Sequence, residues 1–295
     1  MSYELLITQE RTPDVSPDSL RIAMRHYYWK PGKALFHALE LEEYARAGIR
    51  LENPTMDLGC GNGVFAAMLQ ERGILGPMDL ALDYKAGGLS QAKLDFRRGA
   101  VQADARALPL RSRTFASVLA NGVICSVATD FETAITEAAR VLVERGLLVL
   151  SVPTPQVMET QLLPALLRKL GAPRLASRHL SRLNRRLALF HMLDEQAWRQ
   201  KLEESHFHIE QIRYYFTPRQ AFWANLLTMQ LFRMLALLKI FRACKLGEWI
   251  TRLLEWAFRP LFEGEQTLAQ EHRHGQAGWL LIVARKRSAQ MESPG

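Results

Sequence analysis

The sequence predicts an α/β protein: a doubly wound, mostly parallel seven-stranded sheet with helical insertions. Three observations carry that prediction. Short apolar segments alternate with helical ones through the middle of the chain, three of those segments close on an aspartate, and a turn with glycines at alternate positions joins one of them to a helix. Strands alternating with helices form a parallel sheet covered on both faces. Such sheets take their ligands outside the carboxyl ends of the strands.

The elements follow in chain order. Lys33 to Ala47 reads as an amphipathic helix. The aromatic cluster Tyr27-Tyr28-Trp29 before it either covers a bound ligand or packs into the core. The run Pro54-Thr55-Met56 then meets Asp57-Leu58-Gly59-Cys60-Gly61-Asn62-Gly63, and Val64 to Leu69 reads as helix. Glycine lets the backbone turn tightly and approach a ligand without a Cβ in the way. The helix behind the turn is expected to offer free N–H groups. The spacing is Gly-x-Gly-x-Gly rather than the dinucleotide Gly-x-Gly-x-x-Gly, since Val64 stands at the sixth position. Asp57 would repel a pyrophosphate and suits a ligand that carries a cation. Cys60 within the turn reads as a small residue that fits there, not as a nucleophile.

Met78 to Asp83 reads as the second strand, and its terminal Asp83 suits two ribose hydroxyls. Gly99 to Asp104 reads as the third, with Leu108-Pro109 beyond it. Phe115 to Ala120 is the fourth, leaving by Asn121-Gly122. Ala134 to Val143 reads as a helix that Arg145-Gly146 ends, and Leu147 to Val152 is the fifth strand. Asp194 caps a helix running to Ser205. Phe207 to Phe216 and Gly278 to Arg285 are strands six and seven.

In this order the motifs resemble the class I S-adenosylmethionine-dependent methyltransferases, over roughly residues 50–216 and 278–286. The resemblance implies a Rossmann-like methyltransferase sheet, S-adenosylmethionine as cofactor, and methyl transfer as the reaction. It implies cofactor-binding roles for Asp57, Gly59, Cys60, Gly61 and Gly63, for Asp83 at the ribose and for Asp104 facing the adenine amino group. Tyr84, Ala105, Asn121 and Gly122, beside these acids and at the exit of strand four, are counted with them. In that family strands six and seven form an antiparallel hairpin. Many members carry an acid–histidine pair after strand four, whereas this chain has Ile124-Cys125-Ser126-Val127. The Asn-Pro-Pro-aromatic signature of enzymes that methylate base or amide nitrogens is missing, because Asn121 is followed by Gly122-Val123.

The expected organisation is an N-terminal helical cap at 1–50, a cofactor-binding core at 51–153 and a basic helical insertion at 154–193. The core's helix and sixth strand follow at 194–216, an amphipathic insertion at 217–277, and the seventh strand and tail at 278–295. The basicity belongs to the insertions. Residues 160–193 hold seven Arg or Lys and no acid, and residues 219–262 hold seven against two acids. Those segments carry +12 while the whole chain carries +8, so the remainder is negative. The second insertion is also apolar and holds three of the six tryptophans. Its longest uncharged run, 220–232, is shorter than the roughly 20 residues a membrane-spanning helix needs. Helices lying in an anionic interface fit that pattern, and so does a lid packed on the enzyme's own core.

The acceptor is expected to be a small or lipid-like molecule, with peripheral contact to an anionic membrane and no nucleic-acid partner. The alternatives are an RNA-modifying methyltransferase that uses the basic insertions, or a non-catalytic S-adenosylmethionine-binding regulator. A hydroxyl acceptor needs a base, and His191, just before the Asp194 cap, is the candidate. Cys60, Cys125 and Cys244 stand far apart without a C-x-x-C pair, so neither a disulfide framework nor a metal site is expected. The first residues, Met1-Ser2-Tyr3-Glu4, show no basic or apolar leader, so a cytoplasmic location is expected, including the inner face of a membrane.

Overall fold

A computed structural model of the chain describes residues 18–27, 30–228, Trp256 and 277–288. Its seven strands form one sheet in the order β3-β2-β1-β4-β5-β7-β6. They are β1 (Thr55–Leu58), β2 (Leu80–Asp83), β3 (Ala100–Gln102), β4 (Phe115–Asn121), β5 (Leu142–Pro153), β6 (Phe207–Tyr215) and β7 (Trp279–Lys286). The first five run parallel, and β7 lies antiparallel between β5 and β6. The chain leaves β1 toward β2 and β3 on one side and returns to β4 and β5 on the other. The carboxyl ends of β1 and β4 therefore flank the switch point where open sheets bind ligands.

Alternation along the strands explains the layers. On β5, Leu147 and Val149 face the core beneath α1 (Asp18–Tyr27), α2 (Pro31–Arg46) and α3 (Val64–Glu71). Leu148, Leu150 and Val152 face the opposite core, which includes Phe131 and Ile135 of α5 (Phe131–Val141) and Trp198 and Leu202 of α9 (Glu195–Glu204). Each leucine taken fully out of water contributes about 1.5–3 kcal/mol, and period-two alternation is what lets one strand supply both cores. Asp194 caps α9 as expected, its Oδ1 accepting from the Ala197 N–H at 2.8 Å.

Several expectations are revised. The helix before β5 runs from Phe131 to Val141 rather than from Ala134 to Val143, and β5 begins at Leu142. Arg145-Gly146 does not stop a helix. It forms an irregularity inside β5, with Arg145 at φ +62° and the pairing to β4 shifted there. A helix that the sequence did not announce, α4 (Ala86–Asp95), joins β2 to β3. The helix α2 is not amphipathic: Glu40, Glu42 and Glu43 are as buried as its leucines. The first insertion is helical, with α6 (Gln156–Glu159), α7 (Leu162–Lys169) and α8 (Pro173–Leu187). Of the second, α10 (Pro218–Thr228) packs against α2, where a Cβ on Gly32 would sit 2.2 Å from the Ala224 carbonyl oxygen. Almost all the rest of that insertion, including its basic apolar stretch, lies outside the described residues, as do Tyr28 and Trp29. Among the described residues no helix is long and apolar enough to cross a membrane.

Candidate active site at the carboxyl edge of the sheet

The glycine turn is tied to the end of β2. The N–H groups of Gly59 and Cys60 both donate to the Leu82 carbonyl, at 2.7 and 3.0 Å. The Gly61 N–H donates to Asp83 Oδ2 at 2.8 Å, and the Lys85 N–H to Asp83 Oδ1 at 2.7 Å. Within the turn itself the N–H groups of Gly59, Cys60 and Gly61 are therefore already engaged. Two of them go to the Leu82 carbonyl and one fixes Asp83, and each Asp83 oxygen keeps acceptor capacity beyond its one backbone bond. Gly59 and Gly61 both sit at positive φ, for different reasons. A Cβ on Gly59 would lie 2.3 Å from the Val123 side chain, so packing requires glycine there. A Cβ on Gly61 would meet nothing within 4 Å, so the backbone at Gly61 faces open space beside Asp83.

The three acids differ in place and surroundings: Asp57 lies one residue inside the end of β1, Asp83 ends β2, and Asp104 follows β3 by two residues, since that strand stops at Gln102. Asp57 is buried, 4% exposed, and its carboxyl group receives no hydrogen bond among the described residues. Burial, and then the neighbouring Asp83 charge, push its carboxyl up to about 8. The same burial and both acids push the Cys60 thiol upward, which keeps it protonated and unreactive. Asp104 is already engaged. The Arg106 guanidinium reaches its Oδ2 at 2.7 Å and its Oδ1 at 3.1 Å, and holds the carboxyl below its ordinary range. An amino group arriving at Asp104 would have to share it with Arg106. Tyr84 is exposed and Ala105 buried beside these acids, while Asn121 ends β4 with Gly122 after it.

His191 lies beyond the exit of β4. Its Nε2 is 2.9 Å from the Val127 carbonyl, its ring rests 4.3 Å from that of Phe131, and its backbone N–H donates to the Cys125 carbonyl. A nitrogen facing a carbonyl acts as the donor. That arrangement pins the first insertion to the turn after β4 and leaves only Nδ1 available as a base.

Sequence reasoning missed a second histidine. On α2, His37, Glu40 and Tyr44 recur at helical spacing toward the ends of β1, β4 and β5. His37 Nδ1 is 2.9 Å from Glu40 Oε2, while Glu40 Oε1 accepts from Tyr215 at 2.7 Å and from Ser151 at 3.1 Å. Tyr44 donates to Asn121 Oδ1 at 3.2 Å. Against a carboxylate, Nδ1 must carry the proton, which leaves Nε2 as the acceptor. That Nε2 is buried and has no partner among the described residues. The ring stacks on Tyr27 at 5.1 Å and leans on Phe65, in the first turn after Gly63, at 5.7 Å. Burial and the Glu40 charge push Tyr27 up to about 12, and Tyr215 well above its ordinary value, so both phenols stay neutral. The signal for this group was spacing alone, and His-x-x-Glu on an exposed helix is commonplace.

Residues 56–150 match a methyltransferase domain family. No match was found among curated protein sequences. Solved structures share the fold. An S-adenosylmethionine-dependent methyltransferase from Mesorhizobium loti is 19% identical, with 85% of this chain and 100% of that one covered and a TM-score of 0.51. One from Thermotoga maritima is 12% identical over 93% of this chain and 100% of its own, with a TM-score of 0.51. Phosphoethanolamine N-methyltransferase 2 of Haemonchus contortus, in complex with S-adenosyl-L-methionine, is 13% identical over 92% of this chain and 58% of its own, with a TM-score of 0.53. Residues 56–150 carry a methyltransferase domain, and the fold around it is shared with S-adenosylmethionine-dependent methyltransferases of known structure.

Proposed function

We propose that the chain transfers a methyl group from S-adenosylmethionine to a small-molecule or lipid-like acceptor held over the carboxyl edge of the sheet. The observation that carries the reading is Asp83, fixed by two backbone N–H groups beside the open face of Gly61. That pair fits a nucleoside: the carboxylate accepts from ribose hydroxyls, and the missing Cβ leaves room for the sugar. Asp57 fits the cationic end of the same ligand, because an ammonium group would return its raised carboxyl to the charged form. Bound there, S-adenosylmethionine supplies an electrophilic methyl on an already activated sulfonium. The protein then has to orient the acceptor, exclude water and, for a hydroxyl, take a proton. Orientation alone reaches effective molarities of about 10⁵–10⁸ M.

His37 meets the requirements for the proton acceptor better than His191. Its Nε2 lone pair is unused among the described residues, and Glu40 holds the ring in the tautomer a base needs. The aromatic rings of Tyr27, Phe36 and Phe65 around it suit an apolar or ring-bearing acceptor. The helix α10, packed on α2 at the start of the second insertion, suits a lid over that acceptor.

A screen with isotopically labelled methyl donor tests the reading, using cell lipid extract, small-metabolite extract and bulk RNA as acceptors. Label is expected in the lipid or small-metabolite fraction, and strongly reduced with His37→Asn. Label in RNA would favour the RNA-modifying alternative. Binding of S-adenosylhomocysteine with no transfer to any fraction would favour a non-catalytic regulator.

A further inference from the structure

The first insertion carries a surface that neither cofactor nor acceptor explains. On α7 and its C-cap, Leu163, Leu166 and Leu170 stand at positions i, i+3 and i+7, and each keeps about half or more of its surface in water. Single exposed leucines need no explanation, but three in helical register form an apolar stripe. On α8, Leu175, Arg178, Arg182 and Arg186 fall on one face and are all exposed. The pairing of charges there differs from the rest of the molecule. Many cations elsewhere meet carboxylates, as in Arg140 with Glu137, Arg213 with Glu43 and Arg285 with Glu210. Among the described residues none of the seven Arg and Lys of residues 160–193 pairs with an acid, and that segment contains none.

A lid turns its apolar stripe inward onto the enzyme, and has no use for unpaired cations. A nucleic-acid surface uses the cations and has no use for half-exposed leucines. An anionic lipid surface uses both, because apolar side chains enter the headgroup boundary while Lys and Arg select negative charge. We propose that the hairpin of α7 and α8 is the contact by which this protein docks on an anionic membrane. The contact is separate from the cofactor site and does not depend on what the acceptor is. It would bring the enzyme to the interface in which a lipid-like acceptor resides.

Cosedimentation of the purified full chain with vesicles tests it. Phosphatidylglycerol vesicles should carry the protein down at low salt. Phosphatidylcholine vesicles should carry less, and high salt should release it, since the charge attraction is screened over about 10 Å at 0.1 M ionic strength. Replacing Arg178, Arg182 and Arg186 together by Gln should lower partition onto phosphatidylglycerol roughly a hundredfold, at about fivefold per charge. The separate pair Leu166→Gln and Leu170→Gln should lower it severalfold on either vesicle. All five side chains are exposed, so S-adenosylhomocysteine affinity should not change in either variant. Three results would overturn the proposal: no sedimentation of wild-type protein with phosphatidylglycerol, equal sedimentation with both lipids, or a triple variant that binds like wild type. Labelled RNA that displaces the vesicles through the same three arginines would reassign the surface to nucleic acid.

Discussion

Asp57→Asn should separate what the fold wants from what the ligand wants. The wild-type carboxyl is buried beside Asp83 and is pushed from its ordinary 3.8 up to about 8. Between those two values the folded protein holds a proton that the unfolded chain has lost. The Asp57 contribution to stability is therefore fully present below pH 3.8, shrinks as pH rises, and is gone once pH passes about 8. Within that window the slope is about −1.4 kcal/mol per pH unit for one proton. Asparagine has the same shape and does not titrate, so the variant removes this slope and little else. The stability difference, variant minus wild type, should grow by about 2 to 3 kcal/mol between about pH 5.5 and about pH 7.5. Urea denaturation of both proteins at the two pH values reads it, and the double difference cancels the titrating groups that do not interact with Asp57. The same variant should bind S-adenosylhomocysteine at least tenfold more weakly, because a carboxamide offers no charge to the amino-acid ammonium. A stability difference that stays constant with pH would mean that Asp57 is already ionised in the free protein, and the argument from burial would fail.

The remaining predictions concern single side chains. Asp83→Ala removes a carboxylate that organises both the Gly61 turn and the ribose contacts; calorimetry should show S-adenosylhomocysteine affinity falling at least tenfold, at about 1.5–3 kcal/mol per charge-assisted bond. His191→Gln loses the ring contact with Phe131 and strains the bond to Val127. It should cost about 2 kcal/mol in thermal denaturation and keep the transfer rate; a rate lost at unchanged stability would make His191 the base after all. Glu40→Leu should free His37 to take either tautomer, and ¹⁵N chemical shifts of the imidazole should show Nδ1–H in wild type and a mixture in the variant. A wild-type ring carrying its proton on Nε2 would remove His37 as the base.

The sheet and its ligand edge were legible because they rest on local pattern. Asp57, Asp83 and Asn121 each end a short apolar run, and a parallel strand's end is where the ligand edge lies. The antiparallel placement of β7 beside β6 followed from the family resemblance, not from periodicity. What the sequence concealed depends on distant partners. Leu-Glu-Leu-Glu-Glu on α2 reads as a solvent face, yet Glu40 is buried because Ser151 and Tyr215, 111 and 175 residues later, supply its hydrogen bonds. Glu43 is buried because Arg213 reaches it from β6. Without those partners a buried carboxylate would be untenable, and the helix would have been amphipathic as expected. The Asp104–Arg106 pair is close in sequence yet unannounced by it, because an acid that follows a strand suits a ligand and a neighbouring guanidinium equally well. The boundary between α5 and β5 moved for a local reason: Leu142 and Val143 suit a strand as well as a helix, and the pairing of Leu142 with Phe115 decided between them.

Titration of S-adenosylhomocysteine into wild-type protein and Asp83→Ala by calorimetry tests the central claim most directly. The account predicts one site per chain on the wild type, with proton release below about pH 8 as the ligand's ammonium ionises Asp57. It predicts affinity at least tenfold weaker in the variant. Absence of binding to the wild type, or equal affinity in both proteins, would contradict a cofactor site at the carboxyl edge of this sheet.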